Sequence, residues 1–308
     1  VARRRARGRN INGIVLLDKP VGLSSNAALQ EAKRLFFARK AGHTGSLDPL
    51  ASGLLPLCFG EATKLSAFLL DADKVYEGTC QLGVRTTTAD AEGEIIDERP
   101  VPELSDAQIE AVLEKFTGQQ QQVPPMHSAV KVKGQPLYKL AHQGLEVERE
   151  PRTVQVYSLK LVSYEPAGGR FDFVMHCSKG TYVRTLAEDI GEALGCGAHL
   201  SRLCRTAVGP LELDKAVSLD RLREVREAEG AEALGQFLLP MDQALVRWPA
   251  LKLTEHSAYY VRQGQPVQVA KAPTSGWVRL FADNDRFLGV GQILDDGRVA
   301  PRRLVSGG

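Results

Sequence analysis

The segment Gly42-His43-Thr44-Gly45-Ser46-Leu47-Asp48-Pro49-Leu50-Ala51-Ser52-Gly53 constrains this chain more than any other. It holds one acid, Asp48, followed at once by proline, with glycines at 42, 45 and 53 around it. The apolar run Leu54-Leu55-Pro56-Leu57-Cys58-Phe59 comes next. Glycine opens backbone conformations closed to other residues, and proline fixes φ and removes a donor. The segment therefore reads as a loop able to hold one carboxylate in one pose, leading into a short buried strand over 54–59. The competing reading is an ordinary turn with a solvated Asp. The rest of the chain decides between them.

The flanking patterns set the class. Ile11-Asn12-Gly13-Ile14-Val15-Leu16-Leu17, ended by Asp18-Lys19-Pro20, predicts a buried strand, and Ser24-Ser25-Asn26 opens a helix over 27–39. A second helix is expected over 61–70, a strand over 74–83, a polar turn over 86–94 and a helix from Ser105 to about Thr117. Residues 118–150, with the run Gln119 to Gln122 and then Val123-Pro124-Pro125-Met126-His127-Ser128-Ala129, read as a long functional or mobile segment. Paired strands follow over 154–164 and 171–177. Ser178-Lys179-Gly180-Thr181 is expected to cap a helix from Tyr182 to Leu194, closed by Gly195, before a strand over 198–208. Residues 211–249 read as helical. From 251 onward, β-rich runs at 267–270, 277–281, 287–294 and 298–304 alternate with turns and predict a small all-β module. The class is α+β with a β-rich appendix. At 308 residues, one large domain and one small one is the natural division: a basic arm over 1–10, a main domain over 11–250 and the module over 251–308.

Several classes are excluded by composition. No apolar run is long enough to span a bilayer, and the Arg-rich start lacks the apolar stretch of a signal peptide. Five scattered cysteines, none at CxxC spacing, argue against a disulfide framework and a zinc site, and fit a reducing cytoplasm. The six histidines form no HExxH pattern. Net charge is only +2, so the overall balance does not imply a nucleic-acid partner. Local patches are more suggestive: Arg3, Arg4, Arg5, Arg7 and Arg9, then Lys131 with Lys133, and Arg302 with Arg303.

Three further segments could carry chemistry. Asp73-Lys74-Val75-Tyr76-Glu77-Gly78 puts an aromatic at the start of a strand, where a core role is the ordinary reading. Ser178 to Arg184 puts an Arg early in a helix, against the macrodipole, so Arg184 needs a buried acidic partner. Ala198 to Thr206 is a mixed apolar and basic strand. The Asp48 loop lacks the Gly-Lys-Ser/Thr ending of a phosphate loop, has no second acid nearby, and no G-x-S-x-G elbow occurs. One isolated carboxylate, an Arg and aromatic platforms suit work on a flipped base. Stacking worth about 1–3 kcal/mol per base offsets part of the extrusion. Once a base covers the site and expels water, an Arg partner would keep the carboxylate charged.

Together these segments resemble the TruB-type tRNA pseudouridine-55 synthases, from Asn12 to Leu304. The resemblance rests on Leu17-Asp18-Lys19-Pro20 with Ser24-Ser25-Asn26, Gly42 to Pro56, Lys74-Val75-Tyr76 with the Thr-Thr-Thr-Ala-Asp turn, and Pro124-Pro125-Met126 with Ser128-Ala129. It continues through Leu137-Tyr138-Lys139-Leu140-Ala141, Lys179 to Leu186, and Gly297 to Leu304. It implies a mixed, largely antiparallel sheet flanked by helices, plus a small RNA-binding domain of the PUA type. It implies isomerisation of uridine 55 in the tRNA T-loop without metal or organic cofactor, by a cytoplasmic monomer that could also assist tRNA folding. Carried over, Asp48 is the catalytic aspartate, Arg184 pairs with it, and Tyr76 stacks on the flipped base. Tyr182 and Leu203 line the pocket, His43 holds the T-loop open, Lys19 supports the catalytic loop, and 118–150 closes over the RNA. Three residues depart from the pattern: His127 for Tyr, Cys204 for Arg before Arg205, and Ser46 for Thr or Ala. Two other classes stay open, a non-catalytic RNA binder and a guide-RNA-dependent synthase. A pure binder has no use for a fixed carboxylate beside a polyanion, and the chain lacks long basic tails.

Overall fold

An almost unbroken apolar run makes β1 (Gly13–Lys19), which lies antiparallel to β3 (Ser52–Phe59) with Val15 opposite Leu57 and Leu17 opposite Leu55. Both strands are buried along nearly their whole length, which is why they read as continuous rather than alternating patterns. The computed structural model describes residues 8–128, 130–132, 134–141 and 143–306. Arg3, Arg4, Arg5, Arg7, Ala129 and Lys133 lie outside the described residues. The chain divides into two compact units, one of 8–48, Gly53–Asp71 and 208–306, the other of Pro49–Ser52 and Ala72–Ala207.

In the first unit α1 (Ser25–Leu35) and β2 (Ala41–His43) come between β1 and β3, and β2 pairs antiparallel with β3. Ser24 caps α1 by accepting from the Ala27 N–H, and the Phe36 ring at its end lies 4.9 Å from that of Phe59. The helix expected over 61–70 is instead a 3-10 turn, Gly60–Lys64, followed by the short α2 (Ser66–Leu70).

The second unit opens with β4 (Lys74–Leu82), whose Tyr76, Gly78, Cys80 and Leu82 share one buried face, as period-two alternation requires. A side chain at Gly78 would meet the Phe173 ring at 2.5 Å, so only glycine fits beneath that ring. The hairpin β5 (Val84–Thr86) and β6 (Ile95–Glu98) follows, then α3 (Asp106–Lys115), opened by a capping box between Ser105 and Gln108. Next come β7 (Gly118–Gln122), the small hairpin β8 (Lys131–Val132) and β9 (Gln135–Pro136), and α4 (Leu137–Ala141). The long strands β10 (Arg152–Glu165) and β11 (Arg170–Cys177), α5 (Val183–Ala193) and β12 (Ala198–Val208) complete the unit. Its strands run in the order β12-β4-β11-β10-β7. Tyr76 pairs with Met175, Leu159 with Met175 from the other side, and Gln155 with Gln119, all antiparallel. Buried residues of α5 pack on β4, where the Cys80 thiol approaches the Ala187 carbonyl at 3.9 Å.

The chain then returns to the first unit through β13 (Leu211–Glu212) and β14 (Val217–Ser218). β14 runs parallel to β1, with Leu17 opposite Val217, so the sheet is mixed. α6 (Leu219–Glu229) packs beside α1. Four strands close the chain in the order β15 (Ala250–Lys252), β16 (Trp277–Phe281), β17 (Phe287–Ile293) and β18 (Val299–Leu304), with α7 (Glu255–Arg262) after the first. Leu253, Val261, Val278, Leu280 and Val299 form the centre of this small β domain. Trp277 stacks on Trp248 at 5.4 Å, Phe68 lies edge-on to both, and Arg279 pairs with Asp242 at 3.0 Å.

Several expectations need correcting. Gln119 to Gln122 is not loop but the edge strand β7, which needs only backbone pairing with β10 and so shows no apolar signal. Residues 267–270 form no strand, and α7 interrupts the expected all-β module: its Tyr259-Tyr260-Val261 centre looks β-like, and the Thr254 cap is its helical signal. Within 211–249 only α6 is an α-helix. All five cysteines are free, and burial pushes the Cys58 and Cys177 thiols up to about 12 and about 11, as packing groups rather than nucleophiles. Among the described residues no helix is long and apolar enough to cross a membrane.

Candidate active site

The Asp48 loop is tied down at three places within the first unit. Near its start Thr44 is fully buried, and both its N–H (3.1 Å) and its hydroxyl (3.3 Å) donate to the Pro56 carbonyl. Next to the acid, the buried Ser25 hydroxyl accepts from the Leu47 N–H at 2.6 Å and donates to the Leu47 carbonyl at 3.0 Å. At its end the Gly53 N–H hydrogen-bonds the Asp18 carboxylate. Burial pushes the Asp18 carboxyl up, and that hydrogen bond pulls it part of the way back. Asp48 itself is half-buried, and the chain passes from the first unit to the second directly after it.

The support runs one layer deeper. Lys19 has no exposed surface, and its ammonium donates to the carbonyls of Pro20 (2.9 Å) and Leu23 (2.6 Å). These bonds fix the turn that delivers Ser24 and Ser25 to the start of α1. Lys19 is thus no surface cation: without exposure, its ammonium holds the Pro20–Leu23 turn. His43 is half-buried at the end of β2, opposite Leu57.

The other four expected residues lie in the second unit. Tyr76 on β4 and Leu203 on β12 are both buried, on adjacent strands. Tyr182 is half-buried at the N-cap position of α5, and Arg184 follows in its first turn, 5% exposed. The expected hydroxyl cap from Ser178 or Thr181 is absent: Ser178 accepts from the Gln155 N–H and Thr181 donates to the Ser178 carbonyl. Instead the buried Gln122 side chain accepts from the Tyr182 N–H at 2.7 Å and donates to its carbonyl at 3.0 Å. A primary amide reproduces a peptide edge, so β7 grips the start of α5 as a strand would.

Arg184 has a buried acidic partner, as its place in the helix demands, in Asp90. The ion pair spans 3.4 Å, with both side chains almost wholly buried. The Asp90 carboxylate also accepts from the Thr88 hydroxyl (2.6 Å) and the Glu92 N–H (3.0 Å), while its backbone bridges to Leu200. The guanidinium further donates to the carbonyls of Thr88 (3.1 Å) and His127 (2.8 Å). The polar turn over 86–94 therefore exists to present a carboxylate inward. Its only trace in the sequence is the Thr-Thr-Thr-Ala-Asp run. Ser25, Gln122 and Asp90 are the contributors that reading from sequence did not single out.

Two departures also find their places. Residue 127 meets Arg184 through its backbone carbonyl, a contact any residue can make. Cys204 is half-buried on the same strand face as the exposed Arg202, while its neighbour Arg205, on the opposite face, is only 1% exposed. Arg202 is the exposed cation there, 3.8 Å from Glu77. Chemically, the first unit offers one carboxylate on a rigid loop, and the second offers a buried Arg–Asp pair and apolar aromatic surface. Among the described residues no three His, Cys, Asp or Glu side chains gather to hold a metal ion.

Known proteins share this framework along its whole length. Residues 33–183 match the TruB family pseudouridylate synthase N-terminal domain, 184–246 the tRNA pseudouridylate synthase B C-terminal domain, and 249–305 the C-terminal domain of pseudouridine synthase II TruB. The tRNA pseudouridine synthase B of Nitrosococcus oceani is 56% identical over 302 residues, 98% of this chain and 97% of that one. That of Stutzerimonas stutzeri is 56% identical over 297 residues, 96% of each. In a crystal structure of a Cbf5-Nop10-Gar1 complex, one chain superposes with a TM-score of 0.71 at 25% identity, covering 96% of this chain and 84% of that one. With matched domains from residue 33 to residue 305 and relatives this similar end to end, the chain belongs to the TruB family of pseudouridine synthases.

Proposed function

We propose that this protein isomerises uridine 55 in the T-loop of tRNA to pseudouridine, with Asp48 as the catalytic acid group. The observation that carries this reading is the triple anchoring of the Asp48 loop through Thr44, Ser25 and Asp18. A carboxylate fixed by buried bonds loses little further freedom when it meets a reacting centre, and such positioning supplies much of a catalytic barrier reduction. The tRNA substrate comes from the relatives' activity.

In this reading the target uridine is flipped from its loop and stacks on Tyr76, between the apolar surfaces of Tyr182 and Leu203. His43 fills space vacated in the T-loop. The C1′–N1 bond breaks and C1′ gains cationic character, which the Asp48 carboxylate stabilises, as carboxylates do in glycoside cleavage. The uracil turns and C5 bonds to C1′. The C5 proton leaves and N1 ends with one, so nothing is gained or lost overall and no redox partner is required. Arg184 keeps Asp48 ionised as the base expels water. Asp90 in turn neutralises and orients Arg184. The small C-terminal β domain adds RNA contacts of the PUA kind, and the same binding energy assists tRNA folding.

The test is positional. Unmodified tRNA is treated with the protein in EDTA, and pseudouridines are mapped by carbodiimide labelling and primer extension. A single stop at position 55 is expected. Modification elsewhere with position 55 untouched would refute the assignment.

A further inference from the structure

Helix α1 ends in a turn whose chemistry neither stability nor the Asp48 site explains. The Phe37 N–H donates to the Arg34 carbonyl (3.0 Å) and the Ala38 N–H to the Lys33 carbonyl (2.9 Å), the two bonds of a Schellman motif. Phe37 occupies the left-handed position of that motif, at φ 50°, where glycine or asparagine is usual. A bulky residue with positive φ is strained there. No burial offsets the strain, since Phe37 is 48% exposed. Backbone preference and packing therefore both select against phenylalanine at this position. Strain of this kind, left uncompensated in the folded chain, points to a function.

The surroundings indicate which function. Arg34, Arg39 and Lys40 are all exposed around Phe37. Two acids within their electrostatic reach are already committed: Glu31 to Arg223 at 2.6 Å, with Arg34 only at 3.9 Å, and Glu61 to Lys64 at 2.6 Å. The turn is also rigid. The Arg9 N–H donates to the Phe37 carbonyl, and the Arg39 N–H donates to the Arg9 carbonyl at 2.9 Å. From Lys40 the chain enters β2 directly, and three residues of extended strand, about 10 Å, lead to His43. An exposed aromatic held rigid among cations, a short strand away from the Asp48 loop, is a stacking platform for nucleic acid.

We propose that Phe37, with Arg34, Arg39 and Lys40, is a second RNA-contact platform, Phe37 stacking on an exposed base of the T-arm while the cations meet its phosphates. The proposal rests on the T-arm reading above. Its test is Phe37→Asn, which restores a residue suited to positive φ and therefore raises thermal stability. Affinity for an unmodified T-arm stem-loop, measured by fluorescence anisotropy, is expected to fall about tenfold, within the range of one base stack removed. Raised stability with unchanged affinity would overturn the proposal. In the Arg39→Ala, Lys40→Ala double variant the slope of log affinity against log salt should shrink by about 0.7 to 0.9 for each phosphate no longer neutralised. An unchanged slope would remove the cations from the platform. Failure of the unaltered protein to bind the stem-loop would refute the T-arm reading first, and the platform with it.

Discussion

Replacing Ser25 with alanine isolates the effect of loop anchoring from the carboxylate itself. Ser25 is 3% exposed and Leu47 5% exposed, so the Leu47 N–H and carbonyl have no water to turn to once the hydroxyl is gone. Each buried polar group left without a partner costs about 1–3 kcal/mol. The loop can recover this only by moving to wet both groups, which displaces Asp48, the next residue. A shift of about 2.7 kcal/mol toward the displaced loop is a factor of about 100, and a misplacement near 1 Å costs a similar factor. The single-turnover rate on saturating T-arm stem-loop should therefore fall about 100-fold, with affinity within about threefold of the unaltered protein. Ser24→Ala is the control. It removes the α1 cap, worth about 1 kcal/mol, without touching Leu47, and should lower stability while leaving the rate intact. A Ser25→Ala rate within about threefold of normal, with stability reduced, would show that Asp48 does not depend on this anchor.

Two other perturbations probe the second unit. Asp90→Ala removes a carboxylate from the buried Arg184 charge, and should cost about 3–5 kcal/mol in denaturant unfolding. A loss below about 1 kcal/mol would mean the pair carries little. Gln122→Leu removes both bonds to the Tyr182 backbone while keeping an apolar side chain of similar length. The Tyr182 amide should then exchange with solvent much faster than in the unaltered protein, and unchanged protection would refute the clamp.

Those parts of the fold that follow simple periodicity are legible in the amino-acid sequence itself. The apolar runs of β1 and β3, the alternation in β4 and the Ser105 cap announce themselves, because burial and capping are local demands on residue type. The Asp48 loop is legible for the same reason: its glycines and prolines restrict the backbone whatever surrounds them. What stays hidden depends on partners distant in sequence. Gln122 looks like one more glutamine in a polar run until β7 pairs with β10 and brings its amide to Tyr182. Asp90 looks like a turn residue until Leu200 holds the turn and directs the carboxylate inward. Arg205 looks like a surface cation because periodicity alone does not say which side of β12 is covered. The aromatic joint of Phe68, Trp248 and Trp277 is equally invisible in the sequence. It means that deleting residues 251–308 would expose a stacked apolar surface.

The central claim is that Asp48 performs the chemistry rather than merely lying beside the RNA. Tritium release from T-arm stem-loop labelled at C5 of uridine, in EDTA, compares the unaltered protein with Asp48→Asn while anisotropy follows binding of both. The account predicts release by the unaltered protein, none above background by Asp48→Asn, and affinities within a few-fold of each other. Release by Asp48→Asn at an undiminished rate, or loss of binding with the fold intact, would contradict it.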